Sequence, residues 1–423
     1  MSSSEAVSTN HNNNNNDAVA NIAVIGAGWW GQGWHCPALH QNPRAQLYAI
    51  VDPTPHPQST LKDTTLESLE TLREKYQTRI YDSVAELLED LEHGDGQQQQ
   101  LDGVIVSTPH HTHYQIANAI FNCTSNNNNK PIHILMEKPM TTEIKDAFQL
   151  LQLAQEHPQS QFWINHSANF RPPALLARHD GMPLIGNLRH VTASFASPVM
   201  WVFEDPNNVG WNVPTGTMTG NGFGWGQQSH LLAWIFFVCD NALRPETVYC
   251  QMTHSAATGA DIAHSATIAC ANNVVLNVSG TALLPGSEYA ETARMGKQVR
   301  IQIYGDQGAL FYEGDDEHPA SGRLEFRGHD DDAQRILFDS FLFENASTQG
   351  CGPESVANFV QMCCQTNYPS TRNDATATTT NTDVPPNCAN VTVGLRCVQT
   401  LEAMYRSHAT KSIVKVLTKP PSA

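Results

Sequence analysis

The chain has 423 residues, 40% hydrophobic and 15% charged, enough to bury a core and too many for one average domain, so two domains are expected. Its 41 acidic residues against 24 basic ones give a formal net charge of -17, a field that repels polyanions and argues against nucleic acid or an acidic membrane surface as partner. No run reaches the roughly 18 apolar residues of a membrane span. The first 17 residues lack an apolar core and an arginine, so they fit neither a secretory signal nor a mitochondrial presequence, and a cytoplasmic protein is expected.

The ten cysteines show no CxxC spacing, and only Cys363 and Cys364 adjoin; they read as reduced thiols. No short-spaced ligand pairs suggest zinc, and no metal is expected. Residues 1–19, with an Asn tract at 12–16, are expected to form a disordered tail, because such composition cannot bury enough apolar area to order itself. Similar tracts at 97–100 and 126–129 mark swollen surface loops.

From 20 to 160, β-branched-rich runs at 21–25, 47–51, 103–106 and 132–136 alternate with helical spacing at 65–76, 83–91, 114–121 and 142–157. Strands alternating with helices imply an α/β domain of the Rossmann type, a doubly wound parallel sheet. The first strand runs into AVIGAGWWG, which sets Gly26, Gly28 and Gly31 at a strand-to-helix turn. There the first glycine permits the tight turn, the second lets backbone approach a pyrophosphate, and the third allows close helix packing. Trp29 and Trp30 fall inside this cofactor motif and would narrow its entrance.

Asp52 follows the second strand, 21 positions after Gly31. A carboxylate there accepts hydrogen bonds from a ribose diol and repels a 2′-phosphate, which favours NAD over NADP; a plain turn acid before Pro53 is the alternative. After the strand 103–106 come Ser107, Thr108, Pro109, His110, His111 and His113. These imidazoles resemble a metal cluster, but further ligands would be needed from elsewhere, and a turn under the nicotinamide ring, Ser107 and His113 included, is the better reading. The strand 132–136 ends on Glu137-Lys138-Pro139-Met140, and strand ends of a parallel sheet line the ligand crevice. A desolvated Lys138 there is suited to exchange a proton with a carbinol while hydride moves to or from nicotinamide. A solvated lysine in a capping turn is the alternative.

From 161 to 423 strand follows strand, at 191–195, 274–279, 299–304 and 310–312. This predicts an α+β domain with a large open, mostly antiparallel sheet, closed by helices at 354–365 and 391–407. The Thr/Asn/Ala-rich segment 371–388 reads as a flexible insertion. A glycine-rich loop, Gly220 to Gly226, precedes an apolar run with His230 and Trp234. His230 is either a buried core histidine or a proton relay and hydroxyl ligand at a helix start. Asn165, Asn212 and Gln227 beside His230 would suit a small polar substrate with several hydroxyls, whereas Phe223, Trp225 and Trp211 in the crevice would suit an aromatic diol.

The glycine turn, the STPHHTH segment, the EKP motif, the histidine before a Leu/Trp-rich helix, the YGDQGAL turn and the EAMYRS helix occur together in one order. From about residue 21 to 416 the chain thus resembles the glucose-fructose oxidoreductase, inositol dehydrogenase and rhizopine-catabolism (Gfo/Idh/MocA) family. The resemblance implies that Lys138 is the catalytic lysine, with its Pro139 peptide cis. It further implies that His230 contacts the reacting hydroxyl, and that Glu137, Thr108 and Pro109 contact the nicotinamide half. It also implies a homodimer or homotetramer formed through the outer face of the second sheet. One departure stands out: the family usually has an aspartate four positions before that histidine, and here the residue is Gly226. Either Gln227, Asn212 or Glu204 assists instead, or the chemistry is altered.

The reading that follows is an NAD(P)-dependent oxidoreductase acting on a sugar, cyclic polyol or related diol. The alternative is a non-catalytic sensor that binds a dinucleotide and a partner protein. The missing aspartate favours the sensor; Lys138 and His230 favour the enzyme.

Overall fold

The computed structural model describes residues 18–59, 65–93, 100–126, 130–208, 210, 213–214, 218, 220–285, 296–316, 318–329, 334–343, 354–365 and 385–421. Most of the expected tail, including its Asn tract, residues 97–99 and 127–129 of the other two tracts, and residues 371–384 lie outside that set.

The first domain is built on six parallel strands: β1 (Ala20–Ile25), β2 (Ala45–Val51), β3 (Arg79–Tyr81), β4 (Gly103–Val106), β5 (His133–Met136) and β6 (Phe162–Ile164). Their order is β3-β2-β1-β4-β5-β6, so the direction of winding reverses between β1 and β4, where such sheets open a ligand crevice at their carboxyl ends. β4 and β5 are buried at every position, as expected of strands covered on both faces. β3 and β6, three residues each, carry too little periodicity to be seen in the sequence.

The second domain is a nine-stranded sheet. Its strands are β7 (Leu188–Ala196), β8 (Pro245–His254), β9 (Asp261–Cys270), β10 (Val274–Thr281), β11 (Gln298–Gly305), β12 (Gly308–Asp315), β13 (His318–Gly328), β14 (Gln334–Asp339) and β15 (Val414–Lys415). The order is β14-β13-β12-β11-β7-β10-β9-β8-β15, antiparallel throughout except for the parallel pair β7 and β10. Burial alternates residue by residue along β10, which is the signature of one packed face and one facing outward. The helix Ser229–Cys239 is buried at all eleven positions and lies against the helix Val391–Thr410. Its sequence is apolar all round, and such a helix can be covered only from every side.

The helix Glu354–Cys363 follows the second sheet in sequence but packs on the first. A Cβ on Gly103 would come within 2.9 Å of Cys363 Sγ and 3.0 Å of the Phe359 ring, so β4 can accept this helix only as glycine. The end of the expected insertion is also corrected. Asn387 Nδ2 donates to the Phe162 carbonyl at 3.2 Å, and Cys388 has no exposed surface, so Asn387 and Cys388 are buried.

Candidate functional site

At the end of β1, Gly26 adopts φ +102°, a conformation that favours glycine, and a Cβ there would fall 2.4 Å from the Ser107 carbonyl oxygen. A Cβ on Gly31 would fall 2.1 Å from the Gly26 oxygen, whereas one on Gly28 meets nothing within 4 Å. Two glycines are therefore demanded by protein contacts, and the middle one borders open space. Asp52, just past β2, accepts the Ala27 N–H at 2.8 Å on Oδ2 and the Thr54 N–H at 2.9 Å on Oδ1. The acid thus ties the glycine turn to the neighbouring strand end. Ser107 Oγ, at the end of β4, is buried with no hydrogen-bond partner among the described residues. An open cradle over Gly28, a carboxylate and an unsatisfied hydroxyl at three adjoining strand ends fit a bound dinucleotide.

At the end of β5, Glu137 is buried and Oε1 collects three partners: Trp30 Nε1 at 2.8 Å, His35 Nε2 at 2.8 Å and Asn165 Nδ2 at 2.6 Å. Ser355 Oγ in turn donates to Asn165 Oδ1 at 2.6 Å. Burial pushes the carboxyl up, but the bonds from His35 and Asn165 and the Lys138 charge outweigh it, so Glu137 is held below the usual carboxylate value. Trp30 contacts Trp29 and Trp34 through tilted rings, with centroids 5.1 and 4.9 Å away.

Lys138 follows, half-buried and joined to Pro139 by a cis peptide bond. Its Nζ donates to the Gly226 carbonyl oxygen at 2.9 Å. Gly226 lies in the π-helical turn Gly224–Gln228, one turn before His230, which opens the buried helix. His230 makes an edge-on contact with His166, centroids 6.2 Å apart. The loop is held from below: Asp261, fully buried, accepts the Gly224 N–H at 3.0 Å and the Tyr405 hydroxyl proton, and Tyr405 Oη accepts the Trp225 N–H at 3.3 Å. Burial and the Asp261 charge drive the Tyr405 phenol far above its usual value, so it remains a donor.

The structure brings Gly26, Gly28, Trp29, Trp30, Gly31, Asp52, Ser107, Thr108, Glu137 and Lys138 to the carboxyl ends of one sheet, with Gly226, Gln227 and His230 of the second domain joined through Lys138. Pro109 is exposed at the start of the 3-10 turn His110–Thr112. His113 is turned inward: it is buried, with Nδ1 3.0 Å from the Met140 oxygen and Nε2 3.0 Å from the Thr108 oxygen. Its ring packs between the two loops. Asn165 is spent on Glu137 and Ser355, and Gln227 keeps a buried Oε1 with no partner among the described residues. Asn212 and Trp211 lie outside the described residues. Phe223 and Trp225 have no exposed surface, Trp225 being stacked on Tyr405 at 5.7 Å, so the aromatic-diol pocket is not formed by them. Glu204 is exposed at the end of the helix Met200–Glu204. Among the described residues no cluster of three or more His, Cys, Asp and Glu could hold a metal, and no helix is long and apolar enough to cross a membrane.

Sequence reasoning missed His35, His166, Ser355, Asp261 and Tyr405. His35 sits four residues, about one helical turn, after Gly31, a spacing that could have placed it on the motif's inner face. The others carried no local signal.

A reversing parallel sheet with an open glycine turn, an acid on the next strand and a lysine two strands further defines a dinucleotide-binding protein of the Rossmann class. Residues 20–166 match the model of the oxidoreductase family with an NAD-binding Rossmann fold, Gfo/Idh/MocA, and this part of the chain is an NAD-binding domain of that type. No curated protein matches the chain by sequence. Among solved structures it is similar to an NAD-binding oxidoreductase from Klebsiella pneumoniae (18% identity, 95% of this chain and 100% of that one, TM-score 0.64). It is similar also to a levoglucosan dehydrogenase in complex with NADH (14%, 95% and 100%, 0.64). A third similar structure is the transcriptional regulator Gal80p from Kluyveromyces lactis (14%, 95% and 92%, 0.64). At these identities the likeness is one of fold.

Proposed function

We propose that the protein is an NAD-dependent oxidoreductase that moves a hydride between nicotinamide and a hydroxyl-bearing carbon of a sugar, cyclic polyol or related diol. The observation that carries this is Lys138: an amine at the carboxyl end of β5, held by the Gly226 carbonyl at 2.9 Å and one helical turn from His230.

The turn from Gly26 to Gly31 and Asp52 would hold the dinucleotide, which supplies a hydride acceptor or donor when bound. In the oxidising direction Lys138 Nζ takes the hydroxyl proton as the carbon loses hydride, and in the reducing direction it returns it. The Gly226 carbonyl aims the amine. His230 hydrogen-bonds the same hydroxyl, and Gln227 offers an acceptor for a neighbouring one. Substrate closes between the two domains, and two copies of the chain pair through the outward face of the second sheet.

A second reading, a dinucleotide-binding regulator, is favoured by one observation: Lys138 meets a neutral carbonyl at Gly226, where the family resemblance leads one to expect an aspartate. It shares its fold with Gal80p. The test is to titrate NADH and NADPH against protein fluorescence in the wild type and Asp52→Ala, then follow nicotinamide absorbance with a panel of polyols and sugars. NADH binding that weakens in the variant, together with turnover, supports the enzyme. Binding without turnover of any member supports the regulator, and no binding by the wild type overturns both.

A further inference from the structure

Glu137 Oε1 receives three hydrogen bonds, and the partner that the chemistry of a dehydrogenase does not account for is the indole of Trp30 at 2.8 Å. His35 and Asn165 share that oxygen at 2.8 and 2.6 Å. Oε2, by contrast, takes the Lys138 N–H at 3.2 Å and no other donor among the described residues. One oxygen is thus saturated and the other is not. An indole is a rigid donor that neither accepts a hydrogen bond nor titrates. Its ring lies against those of Trp29 and Trp34, tilted by 45° and 31°.

We propose that Trp30 is a positioning residue: it pins Glu137 through Oε1 so that Oε2 is presented as the acceptor for an N–H or O–H of the bound cofactor or substrate. This rests on the cofactor reading above. Ser355, bonded to Asn165 at 2.6 Å, closes the far side of the same clamp from the helix Glu354–Cys363.

The experiment uses the full chain with 15N-labelled indoles. In the protein without ligand, one indole N–H resonance should lie downfield, vanish in Trp30→Phe, and move upfield in Glu137→Gln, where the acceptor loses its charge. NADH affinity is then measured in a double-mutant cycle. Trp30→Phe, which keeps a stacking ring but has no N–H, should weaken NADH binding about tenfold in the wild-type background and have no further effect on Glu137→Gln. Equal losses from Trp30→Phe in both backgrounds would mean that Trp30 touches the cofactor on its own account and would overturn the proposal. So would an indole resonance indifferent to Glu137→Gln. Absence of NADH binding by the wild type would instead remove the cofactor reading, while the resonance test would still report on the clamp.

Discussion

The Nζ of Lys138 lies 2.9 Å from the main-chain oxygen of Gly226, so the lysine that ends β5 is held by the loop that opens the buried helix of the second domain. A main-chain acceptor cannot be removed by substitution at its own side chain, which puts the lysine itself at the centre of the test. Lys138→Ala should lower turnover by about 10²–10⁴-fold, the usual contribution of a proton-transferring group, while NADH affinity stays at the wild-type level. Wild-type turnover in the variant would take proton transfer away from Lys138.

The glycine turn makes two opposite predictions. Gly28→Ala adds a methyl where nothing stands within 4 Å, so the variant should unfold at the wild-type urea midpoint yet bind NADH at least tenfold more weakly, by roughly 1.4 kcal/mol. Gly31→Ala would bring its methyl 2.1 Å from the Gly26 oxygen and should lower the midpoint itself. Equal stability in the two variants would contradict this assignment of the glycines.

Beneath the Gly224–Gln228 turn, Tyr405→Phe removes the donor to buried Asp261 and the acceptor of the Trp225 N–H. Hydrogen bonds to buried charged groups are worth about 1.5–3 kcal/mol, and a loss of that size is expected from urea denaturation. Because the same pair anchors Gly224, two residues from the Lys138 acceptor, turnover should fall as well. Unchanged stability would show that Asp261 finds another donor.

Burial, then the neighbouring charges of His113, His111 and Lys138, drives the His110 imidazole from 6.5 down to about 3. Between those values the unfolded chain binds a proton that the folded chain does not. Stability is therefore lost as pH falls from 6.5 toward 3, by at most about 1.4 kcal/mol per pH unit from this group. His113 and His133 are shifted in the same direction, so the difference between wild type and His110→Gln is the quantity to read. The variant should show a shallower decline of unfolding free energy across that window. Identical slopes would mean that His110 takes up its proton in the folded state.

By itself the amino-acid sequence determined the local elements and their chemistry. The runs at 21–25, 47–51, 103–106 and 132–136 became β1, β2, β4 and β5, because a fully covered parallel strand must be apolar along its whole length and so stands out. Gly26, Asp52 and Lys138 were legible because each follows such a strand, and strand ends share one side of the sheet. β9, by contrast, buries small residues such as Ala266 alternating with Ser265 and Thr267, and this faint contrast hid it. Tertiary structure alone decided what meets what. It set the helix Glu354–Cys363 on the first sheet rather than the second, linked Ser355 through Asn165 to Glu137, and turned His113 inward. It also gave Lys138 a backbone carbonyl as partner. The physical reason is range: helix and strand periodicity arises between residues a few positions apart. The site is closed instead by hydrogen bonds between residues 88, 107 and 190 positions apart, and no local pattern encodes those.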